Sequence, residues 1–477
     1  MGDEQTTLAR HVRGPIRAAL TMRLLWLSAG TLAYTAAGWL DLFTGASGNA
    51  LTALCTAALL MSGTILILRA VMLPQDAPER PDHQAPRAVR RAVFAVLALT
   101  TLITLAIAAN LFAYAGNTGI YDSDAAAFNQ YNAALVLRGV NPYRADAMFW
   151  DALNHFPAVG ATPLRAGRYA GSIYGPPLRQ VVIDTQEERA YPQTRGPEYA
   201  PSSLHSYPAL AFLIYVPGVW AGLPTTFYTS LLILAAFLLA AGWGAPRTAH
   251  PILWLLLPAS SLLVFWTLRG SFEVVALLPT LLAWRLLDRR WLSPLLLGLA
   301  CAVKQLIWPL VPLYTILIWK RQGPQAALAR LAVTLAVFLA PNLPFLLASP
   351  GAWARSLLLP VTLPIFPSGV GLVGLARGGV LPLFPPAVYA LLELTALSAL
   401  ALWLARTRRT LPPEAVLILG LLPFALSWHS LFTYFMGIPV LAVAGAFPPR
   451  RRAAQPSSAE ASAGYPIEKP IGTGPIG

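Results

Sequence analysis

The chain has 477 residues, 56% hydrophobic and only 11% charged, with a mean hydropathy of +0.58. A water-soluble domain carries about a quarter charged residues, so an ordinary soluble enzyme is excluded and a membrane protein is indicated. The net charge of +14 comes from arginines in short clusters between apolar runs, the pattern of cytoplasmic membrane loops, and not from a nucleic-acid-binding surface.

In chain order, residues 1–23 carry Arg10, Arg13, Arg17 and Arg23 and read as a cytoplasmic N-terminus. Apolar segments at 24–43, 50–70 and 92–115 make the first three spans, within 24–115. The first apolar run is followed at once by a second, so it reads as a span and not as a cleaved signal peptide. Residues 116–224 form a large extracytoplasmic loop with juxtamembrane helices. The remaining spans fall within 225–447, at 225–243, 251–268, 273–287, 291–303, 305–319, 328–347, 386–405, 414–430 and 434–447, with a second outer loop at 349–385. Residues 448–477, rich in Ser, Ala, Pro and Gly after an arginine triplet, read as a disordered cytoplasmic tail. Cys55 and Cys301 both lie in apolar runs, so no disulfide framework is implied. The chain shows no internal repeat.

The basic clusters set the topology. If Arg90-Arg91, Arg247, Arg289-Arg290, Lys320-Arg321, Arg408-Arg409 and Arg450–Arg452 are all cytoplasmic, an even number of crossings separates each from the next. The expectation is about twelve transmembrane helices with both termini inside. The apolar stretch Tyr207–Trp220 would break this parity if it crossed, and it is short, so it is expected to lie in the outer interface. By the same parity the segments 291–303 and 305–319 form a hairpin of two short helices, with Lys304 and Gln305 at its tip below the outer surface.

Three groups of residues carry candidate chemistry. Asp122 and Asp124 precede a run in which Phe128, Tyr131 and Leu135 fall at near-helical spacing, predicting an amphipathic surface helix. Either acid can cap that helix, and either can serve as a general base; the two roles are compatible. The run ends in Gly139-x-Asn141-Pro142-Tyr143, which also reads as a helix stop and turn. Lys304, in an apolar run, needs a compensating partner: it either snorkels to the headgroups or binds an anion. Arg269 and Glu273 flank a turn between spans, where they can form a helix-start ion pair. His155 and His205 are lone histidines without a partner at ligand spacing, so they form no metal site.

The pattern Asp124-x6-Tyr131-x7-Gly139-x-Asn141-Pro142-Tyr143, placed in the first large outer loop, resembles the GT-C class of polyprenyl-phosphate-sugar glycosyltransferases, in particular the bacterial and archaeal mannosyltransferase-like members. The resemblance implies an all-α polytopic fold and an inverting transfer of a sugar, mannose by preference, to an envelope lipid, glycan or protein acceptor. It implies Asp124 or Asp122 as the base, and Lys304 with Arg269 as the donor-phosphate ligands. Tyr131, Asn141, Tyr143, Glu273, Gln305, His429 and Tyr434 then line the substrate site; in the segment Ser427–Phe435 the family often has an arginine where His429 stands. No cofactor is implied, because the donor is lipid-linked, and a divalent metal is left open. The implied location is the outer face of the cytoplasmic membrane. The rival readings are a transporter or flippase of lipid-linked glycans, which should show repeated halves and broken helices, and a non-catalytic envelope assembly protein.

Overall fold

The computed structural model describes residues 2–44, 49–73, 86–118, 124–144, 152, 155–156, 205–223, 225–246, 249–362, 367–409 and 411–447. Among them the architecture is all-α, apart from one two-residue parallel bridge between β1 (Ser368–Gly369) and β2 (His429–Ser430). Helix α1 (Gly2–Thr44) and α2 (Ala50–Met72) form an antiparallel hairpin. It closes tightly because Gly30 and Gly63 face each other: a Cβ on Gly30 would stand 3.0 Å from the Gly63 carbonyl. Helix α3 (Arg87–Thr118) follows, and packs on the broken pair α8 (His250–Ala259) and α9 (Ser261–Leu268), which bend by 53° at Ser260, just after Pro258.

The outer-loop residues that are described form α4 (Asp124–Leu137), α5 (Leu210–Leu213) and α6 (Val216–Trp220). The rest of the bundle is α7 (Thr225–Gly242), α10 (Glu273–Arg285), α11 (Leu292–Val303), α12 (Leu310–Gln322), α13 (Pro324–Ala348), α14 (Pro350–Thr362), α15 (Gly371–Arg377), α16 (Pro386–Arg406), α17 (Pro413–Leu421) and α18 (Ile438–Ala446).

Among the described residues, four helices are long and apolar enough to cross a membrane: Ala50–Met72, Arg91–Leu111, Pro324–Ala348 and Pro386–Arg406. The bent α8–α9 pair makes a fifth if it is counted as one span. The count of about twelve is therefore not reached by helices of full length. Several expected spans are shorter helices, and prolines and non-helical breaks interrupt them: α11 ends at Lys304, and Pro309 immediately precedes α12. The long helices carry large apolar side chains outward, among them Met61 (67% exposed), Ile65, Leu391 and Leu394. Water penalises such a surface and hydrocarbon does not.

Cations tie helix C-termini together at one end of the bundle. Arg23 donates to the carbonyls of Leu73 and Ala446, beyond α2 and at the end of α18. Arg285 donates to Ala241, Ala444 and Phe447, at the ends of α7 and α18. Arg330 binds the Leu287 carbonyl and Gln322 Oε1, and Lys320 binds the carbonyls of Leu404 and Thr407. The last carbonyls of a helix have no partner within it and carry the negative end of the dipole, so guanidinium and ammonium groups satisfy both. These contacts bring the ends of α2, α7, α10, α12, α16 and α18 to one side. They also show that α11 and α12 turn back on each other, since Leu287 and Gln322 share Arg330.

Two expectations about the outer loop are corrected. Helix α4 is not an amphipathic surface helix. Ala125, Ala126, Ala127, Asn129, Gln130, Tyr131, Asn132, Ala133 and Leu135 are all buried, on every face, because α5, α6 and α7 pack around it. The stretch Tyr207–Trp220 is not one helix but two short ones, α5 and α6, with a turn at Ile214 and Tyr215. The loop 349–385 contains α14 and α15.

Candidate functional site

Lys304 stands where α11 stops. Its backbone is extended (φ −150°, ψ 135°), and its N–H still closes the helix on Ala300. Twelve helical residues precede it, a rise of about 18 Å. That is a little over half of a hydrocarbon core of about 30 Å, so α11 by itself is too short to cross one. The side chain does not snorkel. It is 8% exposed, and Nζ lies 2.6 Å from Glu273 Oε1.

Glu273 is the first residue of α10, where an acid meets the positive end of the helix dipole. It is brought there by the turn after α9. Gly270 takes φ +93°, a conformation that side chains oppose, and the chain reverses in two further residues. Ser271 Oγ donates to the other carboxylate oxygen, Oε2. Thus Glu273 pairs with Lys304, 31 residues away, and not only with groups of its own turn. Arg269, expected beside Lys304 or Glu273, carries its guanidinium over the rings of Phe265 (4.7 Å) and Trp266 (5.5 Å).

Three aromatic rings surround the ammonium: Phe272 at 4.6 Å, Tyr434 at 5.7 Å and Tyr207 at 6.0 Å. Ring faces attract cations and exclude water, so the Lys304–Glu273 pair sits in a setting of reduced polarity. Next in sequence, Gln305 Nε2 donates to the Ser206 carbonyl at 2.6 Å and reaches that of Leu357 at 3.4 Å. Tyr143 is fully buried, and its hydroxyl donates to the Tyr207 carbonyl at 2.9 Å. Burial pushes that hydroxyl's pKa well above the usual tyrosine range, so it remains a donor. Asn141 Oδ1 accepts from the Tyr143 N–H, an Asx turn that sets the Asn-Pro-Tyr corner.

The other expected residues are more dispersed. Tyr131 is buried in α4, its ring 5.0 Å from that of His155. His429 lies in β2, paired with Ser368. Asp124 opens α4; its side chain, and the whole of Asp122, lie outside the described residues. No group of His, Cys, Asp and Glu able to hold a metal ion occurs among the described residues.

The sequence reading missed a polar cluster in the α4 region. Asn132 Nδ2 and His205 Nδ1 are 2.7 Å apart, and both residues are fully buried. Burial holds the His205 imidazole down at about 3, against a smaller opposing pull from the Tyr207 backbone, so it is neutral at pH 7. One turn earlier, Asn129 is fully buried with neither amide atom hydrogen-bonded. Its signal was three amides, Asn129, Gln130 and Asn132, within an otherwise alanine-rich and apolar helix. A buried amide without a partner costs free energy, so such a cluster needs a reason other than packing.

Four sequence segments thus meet at Lys304: the Asn-Pro-Tyr corner through Tyr207, the Ser271–Glu273 turn, the Lys304-Gln305 break, and Tyr434 from the segment after β2. Comparison with protein-family models finds no matching family, and comparisons with curated proteins and with solved structures find no match for the chain.

Proposed function

We propose that the protein is an inverting glycosyltransferase of the GT-C kind, a multi-pass protein of the cytoplasmic membrane with about twelve crossings and both termini inside. It would move a sugar, mannose by preference, from a polyprenyl phosphate to a glycan, glycolipid or protein acceptor at the outer face. The observation that carries this reading is the convergence of four sequence segments on one buried, ring-walled lysine. A lysine ammonium has three N–H donors. Glu273 takes one and fixes its direction, leaving the others for a phosphate oxygen. In the transfer, the acceptor oxygen bonds to the anomeric carbon as the bond to the phosphate oxygen breaks. Asp124 or Asp122 accepts the acceptor's proton, and polyprenyl phosphate leaves with an added negative charge that Lys304 stabilises.

The test is transfer from polyprenyl-phosphate mannose by the full chain in lipid nanodiscs. Asp124→Asn lowers transfer about 10²- to 10⁴-fold while donor binding persists, and Lys304→Ala weakens donor use. Full transfer by the Asp122→Asn/Asp124→Asn double variant refutes the mechanism.

Two observations favour the rival transport reading: the 53° break between α8 and α9 resembles the interrupted helices of transporters, and a buried Lys–Glu pair suits a coupling site. Translocation of a fluorescent lipid-linked glycan across proteoliposomes, without sugar transfer, would decide for it.

A further inference from the structure

A second polar site lies where the end of α1 and the start of α2 meet the glycine-rich arch 367–379. It is a pocket with a cavity of about 30 Å³, whose lining includes Asp41, Thr44, Thr52, Thr56 and Arg377 together with Gly369, Gly371, Gly374 and Gly378. The arch is held rigidly. Gly369 (φ +114°) and Gly371 (φ +74°) adopt conformations that side chains oppose, and a Cβ on either would collide with the carbonyls of Ser430 and Ala425. A Cβ on Gly378 would stand 2.6 Å from that of Ala53, so the arch rests directly on α2. The Val370 N–H closes on the Ser430 carbonyl at 2.7 Å. The described part of the arch is therefore packed into the fold.

We propose that this pocket binds a neutral polyhydroxylated group, one edge of a sugar or polyol. The proposal does not depend on the transfer reading. The chemistry comes from the charge balance. One carboxylate and one guanidinium, of opposite charge, line the same pocket. A phosphate would meet Asp41, and a metal ion would meet Arg377. A vicinal diol suits both: its hydroxyls donate to the carboxylate, and its oxygens accept from the guanidinium. Thr52, which lines the pocket, donates its hydroxyl proton to the Asn49 carbonyl at 2.9 Å, so that oxygen can serve a ligand only as an acceptor. The volume admits a few water-sized groups, hence one edge of a sugar ring and not a whole saccharide. Leu51 and Leu54, next in sequence to the pocket residues Thr52 and Ala53, are exposed apolar side chains, so the sugar can arrive free or as the headgroup of a glycolipid.

The test is hydrogen–deuterium exchange of the full chain in phosphatidylcholine nanodiscs. The probes are methyl α-mannopyranoside in solution and, separately, a monoglycosyl diacylglycerol in the disc, with inorganic phosphate and calcium chloride as controls. The expected result is saturable protection of residues 49–56 and 369–378 by at least one sugar probe. Protection by the lipid alone identifies a headgroup, and protection by the free sugar identifies a soluble saccharide. Asp41→Asn and Thr52→Val each weaken that binding about tenfold, the loss of one hydrogen bond. Thr52 is half-buried and its bond to Asn49 is exposed, so Thr52→Val lowers the melting temperature only slightly and tests binding apart from folding. The proposal is overturned if no sugar protects, if phosphate or calcium protects instead, or if the correctly folded Thr52→Val variant retains full affinity.

Discussion

The Lys304–Glu273 pair gives the sharpest stability prediction. At 2.6 Å, and with an effective dielectric constant of about 20, the attraction is on the order of 6 kcal/mol. Desolvation of the two ions costs several kcal/mol each, so the intact pair contributes little in net terms. The side chains are only 10% and 6% exposed, so water cannot replace a missing partner. Lys304→Met therefore strands a buried carboxylate and Glu273→Gln strands a buried ammonium, each costing about 3–5 kcal/mol. The double variant removes both charges and should lose far less than the sum, a coupling of at least ~2 kcal/mol. Reversible unfolding of the four proteins in mixed micelles measures the cycle. Additive losses would refute the reasoning, because they would mean that each charge finds its own solvation.

Because burial depresses the His205 imidazole from 6.5 to about 3, the stability it confers is complete above pH 6.5 and is lost as the pH falls toward 3. By pH 5 the loss is roughly 2 kcal/mol, and His205→Gln should flatten the stability profile between pH 7 and 5; identical slopes in the two proteins would count against a neutral buried His205. A Cβ on Gly298 would lie 2.7 Å from both the Thr334 carbonyl and Val337 Cβ, so Gly298→Ala should cost about 1–3 kcal/mol in the same unfolding assay, and an unchanged midpoint would disprove the close approach of α11 and α13. In a background lacking Cys55 and Cys301, cysteines at positions 247 and 290 should react with an impermeant thiol reagent only from the inner side, and one at Asn49 only from the outer side; labelling of 290 from outside would overturn the parity of the arginine clusters.

Much of the element order was legible because hydropathy, prolines and arginines act locally. The predicted segments 50–70, 225–243 and 386–405 differ from the observed α2, α7 and α16 by at most two residues at either end. The break at Lys304 followed from the charges that flank the two short helices. Burial was less legible: α4 carries a plausible apolar stripe, yet its other faces are covered by α5, α6 and α7, which lie more than 70 residues further along the chain.

Pairing was decided only by the tertiary structure. Sequence proximity favours Arg269 as the partner of Glu273, four residues away. The positive-φ turn at Gly270 and the stacking on Phe265 accompany a different arrangement, and the packing of α10 on α11 brings Lys304 to the carboxylate. The contact of His205 with Asn132, across 73 residues, and the meeting of Asp41 with Arg377 in one pocket have the same origin. Composition and periodicity determine which stretches become helices and which ends collect cations. They cannot determine which buried polar groups meet, because the cost of an unpaired charge is settled by whichever partner the packing of distant helices delivers.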